Sequence, residues 1–339
     1  MAKNIRTMDE LSEVIGISRP TLSKYFNDPD SVKLTTRKKI ENALHEHDYR
    51  PNLFATNLNR KLPKNIGILV PTITDPFYAQ IVSKIEKRCT AEGYWSIILC
   101  SYGNEDTERK AIETLRSLPL AGAIVAPLGS KKNTSLFTAL KEKTSLVFMD
   151  SHIGTDIPFV GNDNFQSIGL LYDYLIRTGE PPCYIDMPKI NQNATERLAA
   201  YRVAAHKAGV PPMIVGIEKS SWDFEQIGFE IACMAFENNG FPANTLLCAN
   251  DRIAFGVLSA AYKYNISVGI RPSCQLKVAG HDDHPLSRFT SPDLTTIAQD
   301  YEGLVNRTFD ILMLAISGKK THIPLKTPLK GTIIMRSSA

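Results

Sequence analysis

Over the first fifty residues the apolar positions recur every three to four places; from residue 66 onward they gather into short runs. The first pattern is helical. Met8, Leu11, Val14 and Ile15 share a face. Thr7-Met8-Asp9-Glu10 has the form of a capping box, with Thr7 capping the Glu10 amide and Glu10 reaching back. Gly16 ends this helix and can supply a turn at positive φ. Ser18 is placed to cap a second helix, which Asn27-Asp28-Pro29-Asp30 closes with turn residues. Thr35 is expected to cap a third, with Ile40, Ala43, Leu44 and His47 on one face. Tyr49-Arg50-Pro51-Asn52 breaks the pattern. Residues 52–60 (NLFATNLNR) have the length of one or two helical turns, too short to be stable alone in water.

The second pattern alternates strand and helix. Apolar runs at 66–70, 95–99, 122–126, 146–149, 183–187, 213–217, 245–249 and 276–280 read as buried strands. Helical spacing lies between them, as in Phe77, Ile81, Val82, Ile85 and Cys89. Such alternation predicts parallel sheets covered by helices, and this many strands predicts two doubly wound lobes. In such lobes ligands bind off the carboxyl ends of the strands. There is no internal repeat and no low-complexity tract.

Composition and charge narrow the class. No apolar run approaches the roughly eighteen residues of a membrane span. The first ten residues (MAKNIRTMDE) lack the apolar core of a secretory signal, so a cytoplasmic protein is expected. The N-x-S/T matches at Asn133, Asn193, Asn265 and Asn306 are then chance. Cys89, Cys100, Cys183, Cys233, Cys248 and Cys274 form no C-x-x-C pair and read as reduced thiols rather than a disulfide or zinc framework. Residues 1–62 hold 11 Lys/Arg against 8 Asp/Glu, whereas the rest of the chain is nearly balanced at 28 against 27. The basic excess points weakly to a polyanion partner for the N-terminal segment.

The first two helices and the tight turn between them have the helix-turn-helix form. On the second, Leu22, Tyr25 and Phe26 make an inward face. Arg19, Pro20, Thr21, Ser23 and Lys24 are left toward solvent near its start. The N-terminal residues of a recognition helix are those that reach base edges in the major groove. Arginine can bond guanine bidentately, and hydroxyls serve bases or phosphates. Pro20 falls in the first turn, where a missing amide hydrogen does no harm.

Here the chain resembles the lactose/galactose repressor family of bacterial transcription regulators. The resemblance runs through T-M-D-E-L-S-E-V-I-G-I-S-x-x-T-L-S-K-x-x-N, T-R-K-K-I, Y-R-P-N and A-T-N-L. It continues in D-P-F-Y-A-Q-I at 75–81, G-N-D-N at 161–164, E-R-L-A-A-Y-R at 196–202, A-N-D at 249–251, G-H-D-D at 280–283 and T-T-I-A-Q-D at 295–300. It implies a small all-α helix-turn-helix DNA-binding domain at 1–50 and a hinge helix with linker at 51–63. An α/β periplasmic-binding-protein-like core of two doubly wound parallel-sheet lobes follows at 64–339. The N-lobe would hold about 64–161 plus 298–321, the C-lobe about 162–297 plus 322–336. The implied DNA-contacting residues are Thr7, Ser18, Arg19, Pro20, Thr21, Ser23, Lys24, Asn27 and Thr36, with Asn52, Ala55 and Leu58 in the hinge. In the family the residue matching Leu58 wedges between base pairs in the minor groove and kinks the duplex. The implied effector residues are Phe77 and Trp222 as apolar walls, and Asp150, Arg197, Asn250 and Asp282 as hydrogen-bonding groups for hydroxyls.

The function implied is a sequence-specific DNA-binding transcription regulator, a repressor, whose operator affinity responds to a small sugar-type effector. The implied partners are palindromic operator DNA, the effector, and a second copy of the chain in a dimer or tetramer; no cofactor, metal or membrane is implied. Two other readings remain: a sugar-binding receptor without DNA function, and a metal-dependent sugar enzyme using His281-Asp282-Asp283-His284. Two histidines beside two carboxylates have ligand chemistry, yet no further ligand is spaced to complete a site. No nucleotide-binding, zinc-protease or nucleophile-elbow motif is present, and no Ser/His/Asp or Cys/His arrangement stands out.

Overall fold

The computed structural model describes residues 5, 7–50, 63–217, 221–319 and 322–339. Contacts divide the chain into two compact units, Met1–Lys64 and Asn65–Ala339. The expected hinge at 52–60, with Asn52, Ala55 and Leu58, lies outside the described residues.

In the first unit α1 (Met8–Ile15) opens on the capping box: Thr7 Oγ1 accepts the Glu10 amide and the Glu10 carboxylate accepts the Thr7 amide, both at 3.2 Å. Gly16 closes it at φ 62°, a left-handed cap whose amide reaches the Ser12 carbonyl. α2 (Arg19–Asn27) follows, with Ser18 at the cap position. The Ser18 hydroxyl caps no amide, and pairs with the Thr21 hydroxyl at 2.9 Å. A cap serves the second and third amides of a helix. Here the second belongs to Pro20, which has none, and the Thr21 amide bonds the Ser18 carbonyl at 2.9 Å. The third helix corrects the expected boundary. α3 (Leu34–Glu46) takes Lys33 as its cap residue, because extended backbone after the short turn Pro29–Ser31 runs through Val32 and Lys33. Thr35 therefore lies inside the first turn and caps nothing. Leu11, Leu22 and Ile40 are fully buried where the three helices meet, with Ile15, Tyr25 and Ala43 around them.

The second unit holds the predicted strands and four more. β1 (Asn65–Val70), β2 (Trp95–Cys100), β3 (Gly122–Val125), β4 (Ser145–Met149), β5 (Phe159–Asn162) and β11 (Lys326–Leu329) form a parallel sheet in the order β11-β5-β4-β3-β1-β2. β6 (Cys183–Ile185), β7 (Ile214–Val215), β8 (Thr245–Cys248) and β9 (Lys277–Ala279) form a second, ordered β7-β6-β8-β9. β10 (Thr296–Ala298) and β12 (Thr332–Ile334) pair antiparallel. Successive strand residues point to opposite faces, and both faces of the first sheet are buried. Ile66, Ile68, Val70, Val147 and Met149 pack under α4 (Pro76–Ala91) and α11 (Tyr301–Ser317). Leu69, Val125, Leu146 and Phe148 pack under α5 (Glu105–Ser117) and α6 (Thr134–Lys141). The chain reaches the second lobe through β5 and α7 (Asn164–Thr178), and returns through α11.

The segment 322–336 differs from expectation. It does not lie wholly with the C-lobe: Lys326–Leu329 pairs in parallel with β5 of the first sheet, and only Thr332–Ile334 turns back to β10. The strand is an outermost one, the position in which Pro328 costs no ladder bond.

Candidate functional site

The first unit presents most of the sequence-selected residues along α2. Leu22 and Tyr25 are buried beneath α2, while Ser18, Arg19, Pro20 and Lys24 are exposed and Thr21 and Ser23 half-buried on its outer side. Thr7 is exposed at the start of α1 and Thr36 half-buried in α3; Asn27 ends α2. Arg19 is not idle, since its Nη1 lies 3.3 Å from Asp9 Oδ1. Both groups are more than half exposed, so the pair is weak and can be exchanged for a nucleic-acid contact.

In the second unit Phe77, Asp150, Arg197, Trp222, Asn250 and Asp282 all line one cleft between the two lobes. They come from the carboxyl ends of both parallel sheets. Phe77 follows β1, Asp150 follows β4, Asn250 follows β8 and Asp282 follows β9. Arg197 stands on α8 (Gln192–Lys207), after β6, and Trp222 between β7 and α9 (Phe224–Glu237). Asp150 and Asp282 sit at positive φ, 64° and 116°, which turns each side chain sharply off its strand. Trp222 reaches across to the first lobe and closes on Gly103, where a Cβ would lie 2.1 Å from the indole Nε1. Phe77 packs edge-on to Tyr78 at 4.9 Å and tilts against Tyr301 at 5.4 Å, completing an aromatic wall.

Arg197 organises the polar floor. Its buried guanidinium donates from Nη2 to Asp282 Oδ1 (2.8 Å), from Nη1 to the Ala249 carbonyl (2.8 Å) and from Nε to Asn164 Oδ1 (3.2 Å). Asp282 Oδ1 also accepts from Gln299 Nε2 at 2.7 Å and His281 Nδ1 at 2.8 Å. Burial alone would push this carboxyl up; the Arg197 charge and the His281 bond outweigh it and hold Asp282 well below the usual carboxylate range. Asp150 lacks such a direct cation. Burial pushes it up to about 6, against the hydrogen bonds it accepts from Tyr78 (2.8 Å) and Asn193 (3.1 Å). Asp251, which opens α10 (Asp251–Lys263), is pushed by burial to about 7 although Ser287, Thr296 and the His284 amide all donate to it.

Several cleft residues were not selected from the sequence. Arg252 donates to Glu225 through Nε (2.7 Å) and Nη2 (2.6 Å), and to Asp75 Oδ2 through Nη1 (3.1 Å). Since Asp75 opens α4 in one lobe and Arg252 lies on α10 in the other, this pair ties the lobes across the cleft. Asp75, Tyr78 and Gln299 lie inside the quoted motifs, and Arg252 directly follows A-N-D, so neighbourhood to a motif was the available signal.

The fold also assembles a Ser/His/Asp arrangement that does not stand out in the sequence. His281 Nε2 is 2.9 Å from Ser167 Oγ, and Nδ1 is 2.8 Å from Asp282. Burial and the Arg197 charge lower His281 to about 4, so it is neutral, donating to Asp282 and accepting from Ser167. The connectivity is that of a hydrolase triad. However, Ser167 and His281 have no exposed surface and neither lines the cleft, so no substrate carbonyl can reach the hydroxyl. Ser167 also accepts from Asn162 Nδ2 at 2.9 Å, so the relay runs from Asp282 to the end of β5. The metal reading of this segment finds no support in the geometry: among the described residues no three His, Cys, Asp or Glu side chains are grouped to hold a metal ion. Both His281 nitrogens are engaged, and His284 Nδ1 accepts the Leu286 amide at 3.0 Å.

Each of the two units matches a known family. Residues 7–52 match the model of bacterial regulatory proteins of the lacI family. Residues 63–311 match that of periplasmic binding proteins and the sugar-binding domain of the LacI family. The chain is 28% identical to the ribose operon repressor of Escherichia coli over 92% of its own length and 93% of that protein. It is 27% identical to the transcriptional repressor PurR of Actinobacillus pleuropneumoniae over 95% and 94%. In fold it is similar to the lac repressor dimer bound to operator and the anti-inducer ONPF, with a TM-score of 0.86, 24% identity and 99% of each chain covered. A family model spanning most of the second unit and another spanning the helical unit lead to one conclusion: the chain belongs to the LacI family of bacterial regulatory proteins, and is a DNA-binding transcription regulator, not an enzyme.

Proposed function

We propose that this regulator is a repressor whose operator affinity is set by a small polyhydroxylated effector held between the lobes. The observation that carries this is the convergence of Phe77, Asp150, Arg197, Trp222, Asn250 and Asp282 on one cleft. They come from widely separated segments. An aromatic wall suits the apolar face of a sugar, and carboxylate, amide and guanidinium groups suit its hydroxyls. In this reading residues 1–50 bind DNA, 51–63 are the hinge and 64–339 bind the effector and a second copy of the chain. Two copies read a palindrome in successive major grooves. Arg19 carries the direct base readout on α2, with Thr21, Ser23 and Lys24 on base edges or phosphates, and Leu58 acts at the operator centre. The chain acts in the cytoplasm, where its DNA is, and among the described residues no helix is long and apolar enough to cross a membrane.

As it stands the cleft encloses only about 60 Å³, room for a few waters. A sugar therefore enters only when the lobes part and Arg252 releases Asp75. That couples occupancy to lobe arrangement, and through it to DNA affinity. The test is a thermal-shift screen of sugars on the full chain, followed by operator titration with and without each hit. The reading predicts a hit that changes operator affinity; a hit without effect on DNA binding, or removal of residues 1–62 with specific binding retained, would refute it. Operator affinity should also fall steeply with salt, as phosphate contacts release counterions.

A further inference from the structure

The two cations of the cleft are already occupied. Arg252 spends all three guanidinium nitrogens on the carboxylates of Glu225 and Asp75. Arg197 spends its three on Asp282, the Ala249 carbonyl and Asn164. Against these two stand four lining acidic residues, Asp75, Asp150, Asp251 and Asp282, of which Asp251, pushed up to about 7, is only partly charged at neutral pH. Among the described residues no other lysine or arginine lines the cleft.

The groups left open are of a different kind. All three donors to Asp282 land on Oδ1, while its side chain remains 23% exposed, so Oδ2 is an acceptor facing the cleft. Asn250 uses its Oδ1 to cap α10, which leaves its amide N–H groups as donors. Arg197 keeps the second hydrogens of Nη1 and Nη2. A hydroxyl donates and accepts, and so meets an open carboxylate oxygen beside open amide hydrogens. A phosphate ester at neutral pH is mostly the dianion, which offers only acceptors and negative charge. Each cation it approaches already holds a carboxylate, so its charge would lie beside that carboxylate.

We infer that the cleft takes a free sugar or polyol and rejects its phosphorylated or carboxylated derivatives. The inference rests on the cleft being the effector site and adds the charge class of what enters it. Its specificity is of the repulsive kind, built from the carboxylates that already hold both arginines rather than from contacts to one hydroxyl pattern.

The experiment is calorimetric titration of the full chain with matched pairs: ribose and ribose 5-phosphate, glucose and glucose 6-phosphate, glucosamine and glucosamine 6-phosphate. A parent sugar that binds should lose at least about 100-fold in affinity on phosphorylation, the scale of like charges brought together in a partly closed site. Inorganic phosphate should not protect against thermal unfolding beyond chloride at equal ionic strength. Asp75→Asn keeps an oxygen to cap α4 but releases a charge from Arg252, and should narrow the gap between the members of a pair. A phosphorylated member that binds as tightly as its parent, or protection by inorganic phosphate, overturns the inference while leaving the effector reading standing. If no sugar of either kind binds, the effector reading fails and this inference fails with it.

Discussion

Replacing Asp282 by asparagine tests the logic of the cleft floor. The carboxamide keeps the shape of the side chain and an oxygen that can accept from Arg197, His281 and Gln299, now at 2.8, 2.8 and 2.7 Å. What it removes is the negative charge opposite a guanidinium whose residue is only 4% exposed. Removing one partner of a buried pair costs about 3–5 kcal/mol, because the other charge is left uncompensated. With the hydrogen bonds partly kept, the lower end applies, about 3 kcal/mol. In a unit of this size that lowers Tm by about 6 °C. The pH dependence is the sharper criterion. The folded-state carboxyl is held below its unfolded value, so its contribution is fully present above the unfolded value of about 3.9, and is lost only as pH falls through the folded one. The gap between wild type and Asp282→Asn, measured by urea unfolding or calorimetry, should therefore stay constant from neutral pH down to about 4.5. Adding Arg197→Met should recover much of the loss, since removing both charges leaves nothing unpaired. A Tm change of less than about 1 °C, a gap that closes between neutral pH and pH 5, or fully additive double-variant losses would refute the account.

Other outcomes test neighbouring parts. His281→Phe removes the bonds to Ser167 and Asp282 at similar ring size, and should cost about 1–3 kcal/mol in urea unfolding; Ser167→Ala should add little in that background, and full additivity would show that the relay is not one unit. Asp150 and Asp251 have folded pKa values of about 6 and 7, above their unfolded values, so the folded chain binds more protons. Their contribution makes stability fall as pH rises from the unfolded value of about 3.9 through the folded one, and Asp150→Asn should flatten the Tm–pH curve between about 4 and 6. Arg19→Ala should relax base preference at one operator position by about 1–3 kcal/mol; uniform weakening across sequences would make Arg19 a phosphate contact instead.

Local chemistry was legible in the sequence. The capping box at Thr7 and the left-handed turn at Gly16 depend on residues within a turn of one another, and they form as their order predicts. The apolar runs became strands because a strand buried on both faces must be apolar throughout. Phe77, Arg197, Asn250 and Asp282 lie within the quoted motifs and Asp150 and Trp222 outside them, and parallel strands deliver the ends of those motifs to one edge of each sheet. Where several local options competed, the order of residues was not enough. Thr35 is as good a cap as Lys33 is poor, yet the extended backbone before α3 chose the boundary. Lys326–Leu329 has little apolar pattern because it is an outermost strand, and its partner β5 is more than 160 residues away. Only the tertiary structure put Ser167 against His281, 114 positions later, and Arg252 against Asp75, 177 positions earlier. Those contacts decide which charges in the cleft are paired and which oxygen is left open. Periodicity in a single chain carries the faces of its elements but not the pairing of side chains across lobes, which depends on how separate elements pack.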